Sequence, residues 1–177
     1  RGDAGRGSAS PARDRAEIGW DDTDACTTGT VGRQGRRVVF LQARRGNEVV
    51  SLKLEKQQVA GLAEFLDGLL DDLPEVPEPP AGADDTPEFL EPDEPAWVIG
   101  NLGVTYPQST DRLVLTVQEL LRDEDAVPAE ARFPLRREQV LAFIVRARDL
   151  VAAGRPPCQW CGAPLEAANE GWCPCAN

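Results

Sequence analysis

From Val49 to Leu54 the chain reads VVSLKL, so Val50, Leu52 and Leu54 point one way and Ser51 and Lys53 the other. That alternation belongs to a half-buried strand. Upstream lie Thr28 to Gly32 (TGTVG), a turn at Arg33 to Gly35, a strand Arg36 to Ala43 (RRVVFLQA) and a turn around Gly46 and Asn47. From about Glu55 to Asp71 the period changes. Val59, Leu62, Ala63, Leu66, Leu69 and Leu70 recur at steps of three and four, which predicts a helix with one apolar face that needs a sheet to cover.

The pattern then repeats. Trp97 to Val104 (WVIGNLGV) is followed by a turn at Tyr106 to Asp111, a strand Arg112 to Leu120, an acidic loop, and Arg132 to Leu135 leading into a second helix. The apolar face of that helix is Val140, Phe143, Ile144, Ala147, Leu150 and Val151, each 81 positions after its counterpart. Leu54 with Leu135 and Gln58 with Gln139 keep the same offset. The expected fold class is therefore α+β: a mainly antiparallel sheet from two similar strand-strand-strand-helix units, with both helices on one face, plus a C-terminal zinc knuckle.

Composition sets the boundaries. Arg1 to Glu17 mixes Gly, Ala, Ser and Arg without periodicity and reads as a flexible arm over 1–17. The α+β domain is expected over 18–154, interrupted at 73–95 by LPEVPEPPAGADDTPEFLEPDEP, an acidic Pro-rich linker. Gly154 and the Pro156-Pro157 pair end the second helix and open the knuckle, 155–177. No apolar run of about 18 residues or secretory core is present, so a cytoplasmic protein without a membrane span is expected.

A net charge of −11 argues against nucleic acid or an anionic membrane as the partner. The charge is uneven, however. No Lys or Arg occurs between Lys56 and Arg112, whereas Arg33, Arg36, Arg37, Arg44 and Arg45 crowd one short segment.

The chemistry-bearing signal is the tail, CQWCGAPLEAANEGWCPCAN. Cys158 and Cys161 form a C-x-x-C pair before Gly162, and Cys173 and Cys175 form a C-x-C pair around Pro174. Two such pairs can complete a tetrahedral thiolate shell, the arrangement of a structural zinc with no open position for water or substrate. A disulfide framework and free or redox-active thiols are the alternatives; an iron-sulfur cluster matches less well, because the spacing follows no common ferredoxin pattern. Trp160 and Trp172 are expected to pack over the knuckle, or else to form an aromatic pair that binds a partner.

The chain contains no His, which excludes Ser-His-Asp and Cys-His machinery and His-ligated metals. Cys26 consequently reads as a small buried hydrophobe. Asp71-Asp72 and Asp84-Asp85 read as solvated charge, and Glu55 to Gln58 as a helix start. Gly29 with Gly32 and Gly100 with Gly103 give a G-x-x-G in each half, as well explained by tight sheet geometry as by phosphate contact. The Arg1-Gly2-Asp3 tripeptide is treated as accident.

GTVGRQGRRVVFLQARRGNEVVSLKLEKQQVAGLAEFLDGLLDD, VAAGRPPCQWCGAPL and the closing CPCAN resemble an uncharacterised actinobacterial family with a conserved domain of unknown function and a C-terminal zinc ribbon. The LQAR, LEKQQV and AGRPPC-x-x-CG-x-P strings are the specific part. In that family the tail carries a His two residues before a Cys-Pro-Arg; here Gly171 stands at the His place and Cys175 at the Arg place. The resemblance implies genes near mycothiol-ligase-like, phosphatase-like and lipid-kinase-like proteins, and no established activity.

The expected function is thus a non-catalytic zinc-binding module that makes protein contacts. The alternative is an enzyme or enzyme subunit binding an anionic small molecule between the two halves, anchored by Arg36, Arg44, Lys56 or Arg137, with the G-x-x-G turns converging on the same pocket. A third reading, nucleic-acid binding, needs a continuous basic face with exposed aromatics.

Overall fold

The computed structural model describes residues 17–33, 35–74, 87–153, 158–162 and 173–176. The alternating segments form seven strands: β1 (Glu17–Gly19), β2 (Ala25–Val31), β3 (Val38–Arg45), β4 (Glu48–Leu54), β5 (Ile99–Thr105), β6 (Leu113–Glu119) and β7 (Glu130–Leu135). The segments of 3.6-residue period form α1 (Lys56–Asp72) and α2 (Arg137–Ala152). Of the arm expected over 1–17, residues 1–16 lie outside the described residues, and Glu17 opens β1.

The strands lie in two groups, β2-β3-β4 and β1-β7-β6-β5. All pairings between neighbouring strands are antiparallel except that of β1 with β7. The groups meet where Lys53 bridges Val98 in parallel, with the Lys53 N–H donating to Trp97 O (3.1 Å) and the Ala96 N–H to Ser51 O (2.8 Å). Each half therefore enters the sheet through a short segment paired in parallel with the last strand of the other half. Ile18 lies against Ala131, and Val98 against Lys53. A tryptophan beside each entry, Trp20 or Trp97, is buried.

The repeat is visible in the core. Val59, Leu62, Ala63 and Leu66 on α1 are buried, as are Val140, Phe143, Ile144 and Ala147 on α2. They join one apolar cluster with Leu41 and Leu52 from the first half and Leu115 and Phe133 from the second. Each of the larger side chains among them contributes about 1.5–3 kcal/mol by leaving water.

Part of the acidic segment at 73–95 also packs on the sheet. Residues 75–86 lie outside the described residues. Beyond them, Leu90 exchanges a pair of hydrogen bonds with the Gln42 side chain: its N–H donates to Oε1 (2.9 Å) and its carbonyl accepts from Nε2 (2.7 Å). Phe89 lies over Gly29, where an added Cβ would come within 2.3 Å of the ring. Phe40, cross-strand from Gly29, completes the contact at a ring separation of 6.4 Å.

Candidate metal centre and a cationic pocket

The tail brings its four cysteines together. The Sγ atoms of Cys158, Cys161, Cys173 and Cys175 all lie within 4.8 Å of one another. Two pairs run between the motifs at 3.6 Å, Cys158 with Cys175 and Cys161 with Cys173. A metal bonded tetrahedrally to four sulfurs at ~2.3 Å has sulfur–sulfur edges of ~3.8 Å. The cluster could hold a metal ion of that kind.

Local chain geometry explains how. Gly162 takes φ +74°, a left-handed conformation that glycine adopts without a Cβ penalty, and its N–H donates to Cys158 O (2.9 Å). The resulting tight turn lets the Trp160 N–H donate to Cys158 Sγ (3.4 Å). A short 3-10 turn over Pro174–Ala176 carries Cys175 back to the same point. Backbone N–H groups of Cys161, then of Trp160, favour the Cys158 thiolate and draw its pKa down to about 6. Side-chain contacts with Cys173, Cys161 and Cys158 push the Cys175 thiol up.

Trp160 does not pack over the cluster: it is 76% exposed. Only its backbone serves the turn. Trp172 lies outside the described residues.

Cys26 is far from this chemistry in character. It is buried among the core side chains, and burial pushes its thiol up to about 12. It acts as a small apolar filler, as its sequence context suggests.

The anchors of the anionic-ligand alternative do not converge. Arg137 is engaged by Asp111 (3.1 Å), the Tyr106 hydroxyl (3.2 Å) and Pro74 O (2.5 Å). Arg44 lies within β3 and Arg36 in the exposed turn before it. The glycines separate as well: Gly29 sits under Phe89, a Cβ on Gly32 or Gly100 would meet backbone at 2.9 Å, and Gly103 is open.

Of the four anchors, Lys56 alone lines a described cavity of about 370 Å³ at the junction of the β2–β3 turn, the start of α1 and the end of α2. Arg37, one of the crowded arginines of the sequence, and Lys53 share that lining, and neither is among the expected anchors. The pattern places Arg37 in the strand, whereas β3 begins one residue later and Arg37 precedes it. Lys53 reads from the alternation as an ordinary outward residue.

A family model described as "Protein of unknown function (DUF3090)" matches residues 19–173. The chain belongs to that family. No curated protein matches the chain, and no solved structure does.

Proposed function

We propose that this DUF3090 protein is a non-catalytic module in which Cys158, Cys161, Cys173 and Cys175 hold a structural zinc ion and present the adjoining turn to a protein partner. The observation that carries the reading is the convergence of four sulfurs within 4.8 Å from two separate motifs. Four thiolates fill the shell of zinc, so the ion has no place for substrate and acts by tying the tail together. Binding of that kind supplies about 10 kcal/mol or more of apparent free energy to a segment with little core of its own. The exposed indole of Trp160, next to a rigid metal-tied turn, is the type of aromatic that anchors protein interfaces.

Four reduced thiols suit a reducing compartment such as the cytoplasm. Among the described residues no helix is long and apolar enough to cross a membrane. The family resemblance carried by the LQAR, LEKQQV and C-terminal strings implies an actinobacterial source and genes near a mycothiol ligase.

Metal analysis of protein purified without added zinc tests the reading, together with a thiol count before and after chelation. About one zinc per chain, with four thiols becoming reactive on its removal, is the expected result. A metal-free protein with a reversible disulfide would replace it with a redox role for Cys158 and Cys161. For the partner, Trp160→Ala should keep the metal and lose the binding.

A further inference from the structure

We propose that the pocket lined by Arg37, Lys53 and Lys56 binds a small organic dianion, of the phosphomonoester type, with an apolar body. The cavity of about 370 Å³ has the size of a small-molecule site and is far larger than an inorganic phosphate. Its lining combines those three cations and one carboxylate, Glu55, with apolar surface from Val39, Leu54 and Leu150. Among the described residues, none of the three cationic side chains makes an ion pair or a side-chain hydrogen bond. Three unpaired cations in one concavity stand out in a chain of net charge −11.

The internal repeat supplies a control. Val39 pairs with Leu54 in the first half, and Leu113 with Leu135 in the second. Two residues before each of the first members stand Arg37 and Asp111; two residues after each of the second stand Lys56 and Arg137. In the second half the corresponding charge is neutralised internally: Asp111 pairs with Arg137, the Tyr106 hydroxyl and Pro74 O accept further donors from it, and its Nε alone is left without a partner among the described residues. In the first half, Arg37 stands at the carboxylate's place and lines the same cavity as Lys56. Glu55 supplies one negative charge to that lining but makes no ion pair among the described residues, so three cations against one carboxylate leave two positive charges for a ligand to balance. Like charges gathered in excess of their counter-charge raise the folding free energy, and an anion bound between them relieves it. A dianion matches this need better than a monoanion, and the apolar floor accommodates the rest of the molecule.

The test uses the full chain and 1-naphthyl phosphate as probe, with 1-naphthoate and 1-naphthol as monoanionic and neutral controls, followed by amide NMR. Saturable binding with a Kd of about 1 mM or tighter is expected, in the order phosphate, carboxylate, alcohol, with shifts centred on Thr30, Arg37, Lys53 and Lys56. Arg37→Gln and Lys56→Gln should each weaken it about tenfold, whereas Arg132→Gln, an exposed cation outside the pocket, should not. Both pocket substitutions lie at exposed positions, and unchanged amide spectra elsewhere would show that they fold. Equal binding of naphthol, undiminished binding by the pocket variants, or no saturable binding would each overturn the proposal. Because none of these readouts involves the cysteines, its failure leaves the metal reading untouched.

Discussion

Gln58 and Gln139 hold corresponding places in the two halves, and each reaches into the half that is not its own. The Oε1 of Gln58 accepts from the Glu55 N–H (2.8 Å), closing the start of α1, while its Nε2 donates to Ile99 O (3.3 Å) and Gly100 O (3.2 Å). Gln139 does the same for α2: it accepts from the Arg136 N–H (2.8 Å) and donates to Thr23 O (2.7 Å) and Asp24 O (3.1 Å). One amide thus caps a helix and fastens that helix to the first strand region of the opposite unit. Together with the reciprocal strand entries, these bonds make the halves a single folding unit.

Replacing either glutamine by Leu should therefore cost more than a surface cap does. The helix loses an acceptor and two carbonyls of the other half lose a donor. A destabilisation of about 1–3 kcal/mol is expected for each, larger for the buried Gln139. Urea unfolding should show a lower midpoint with an unchanged slope, in one transition. Two separate transitions, one per half, would contradict the reciprocal fastening.

Much of this architecture was legible because periodicity survives in a repeated unit. The 81-residue offset pairs four fully buried positions on each helix, from Val59 with Val140 to Leu66 with Ala147. The entry strand β1 was not legible. Three residues at the margin of a Gly- and Arg-rich arm carry no period, and their pairing with β7 depends on a strand more than a hundred residues away. The docking of Phe89 and Leu90 was hidden for a similar reason: a Pro-rich acidic composition suggests a solvated linker, whereas two side chains suffice to seat it. At the site, C-x-x-C and C-x-C spacing disclosed the metal cluster. Of the pocket cations, Lys56 was legible as an anchor for an anion, whereas Arg37 and Lys53 were not, because nothing local distinguishes a paired cation from an unpaired one.

Gly29 offers a direct check on the seated segment. A methyl group there would overlap the Phe89 ring, so Gly29→Ala should destabilise by about 1–3 kcal/mol and speed hydrogen exchange at the Leu90 amide. In a Phe89→Ala background the same substitution should be nearly neutral. An equal cost in both backgrounds would place the strain in the strand itself.

The second half's closed counterpart of the pocket predicts a titration. The Tyr106 hydroxyl, and after it Arg137, hold the Asp111 carboxyl below the ordinary carboxylate value of 3.8. A depressed folded-state pKa stabilises above the unfolded value of about 3.9, and that contribution is lost as pH falls through the folded one. Carboxyl NMR should place Asp111 below 3.8, and Tyr106→Phe should move it upward. Asp111→Asn should remove this acid dependence. No upward movement in Tyr106→Phe would assign the shift to Arg137 alone.

The five cysteines should fall into two kinetic classes. Cys26 is 1% exposed, with its thiol pushed up to about 12, so it is shielded both by sterics and by the scarcity of thiolate. In the tail, Cys161 and Cys175 are exposed and Cys173 is half-buried, while Cys158 is buried outside the main core, in a turn that a bound metal ties together. Chelation should hence release four thiols to alkylation while Cys26 stays blocked until global unfolding. Cys175→Ser should abolish metal retention without exposing Cys26. Conversely, Cys26→Ser should retain the metal but lose about 1–3 kcal/mol of stability, because a hydroxyl then lies in an apolar core. Mass spectrometry of alkylated peptides along a denaturant series separates the classes. Modification of Cys26 in step with the other four would mean that the tail and the core open together.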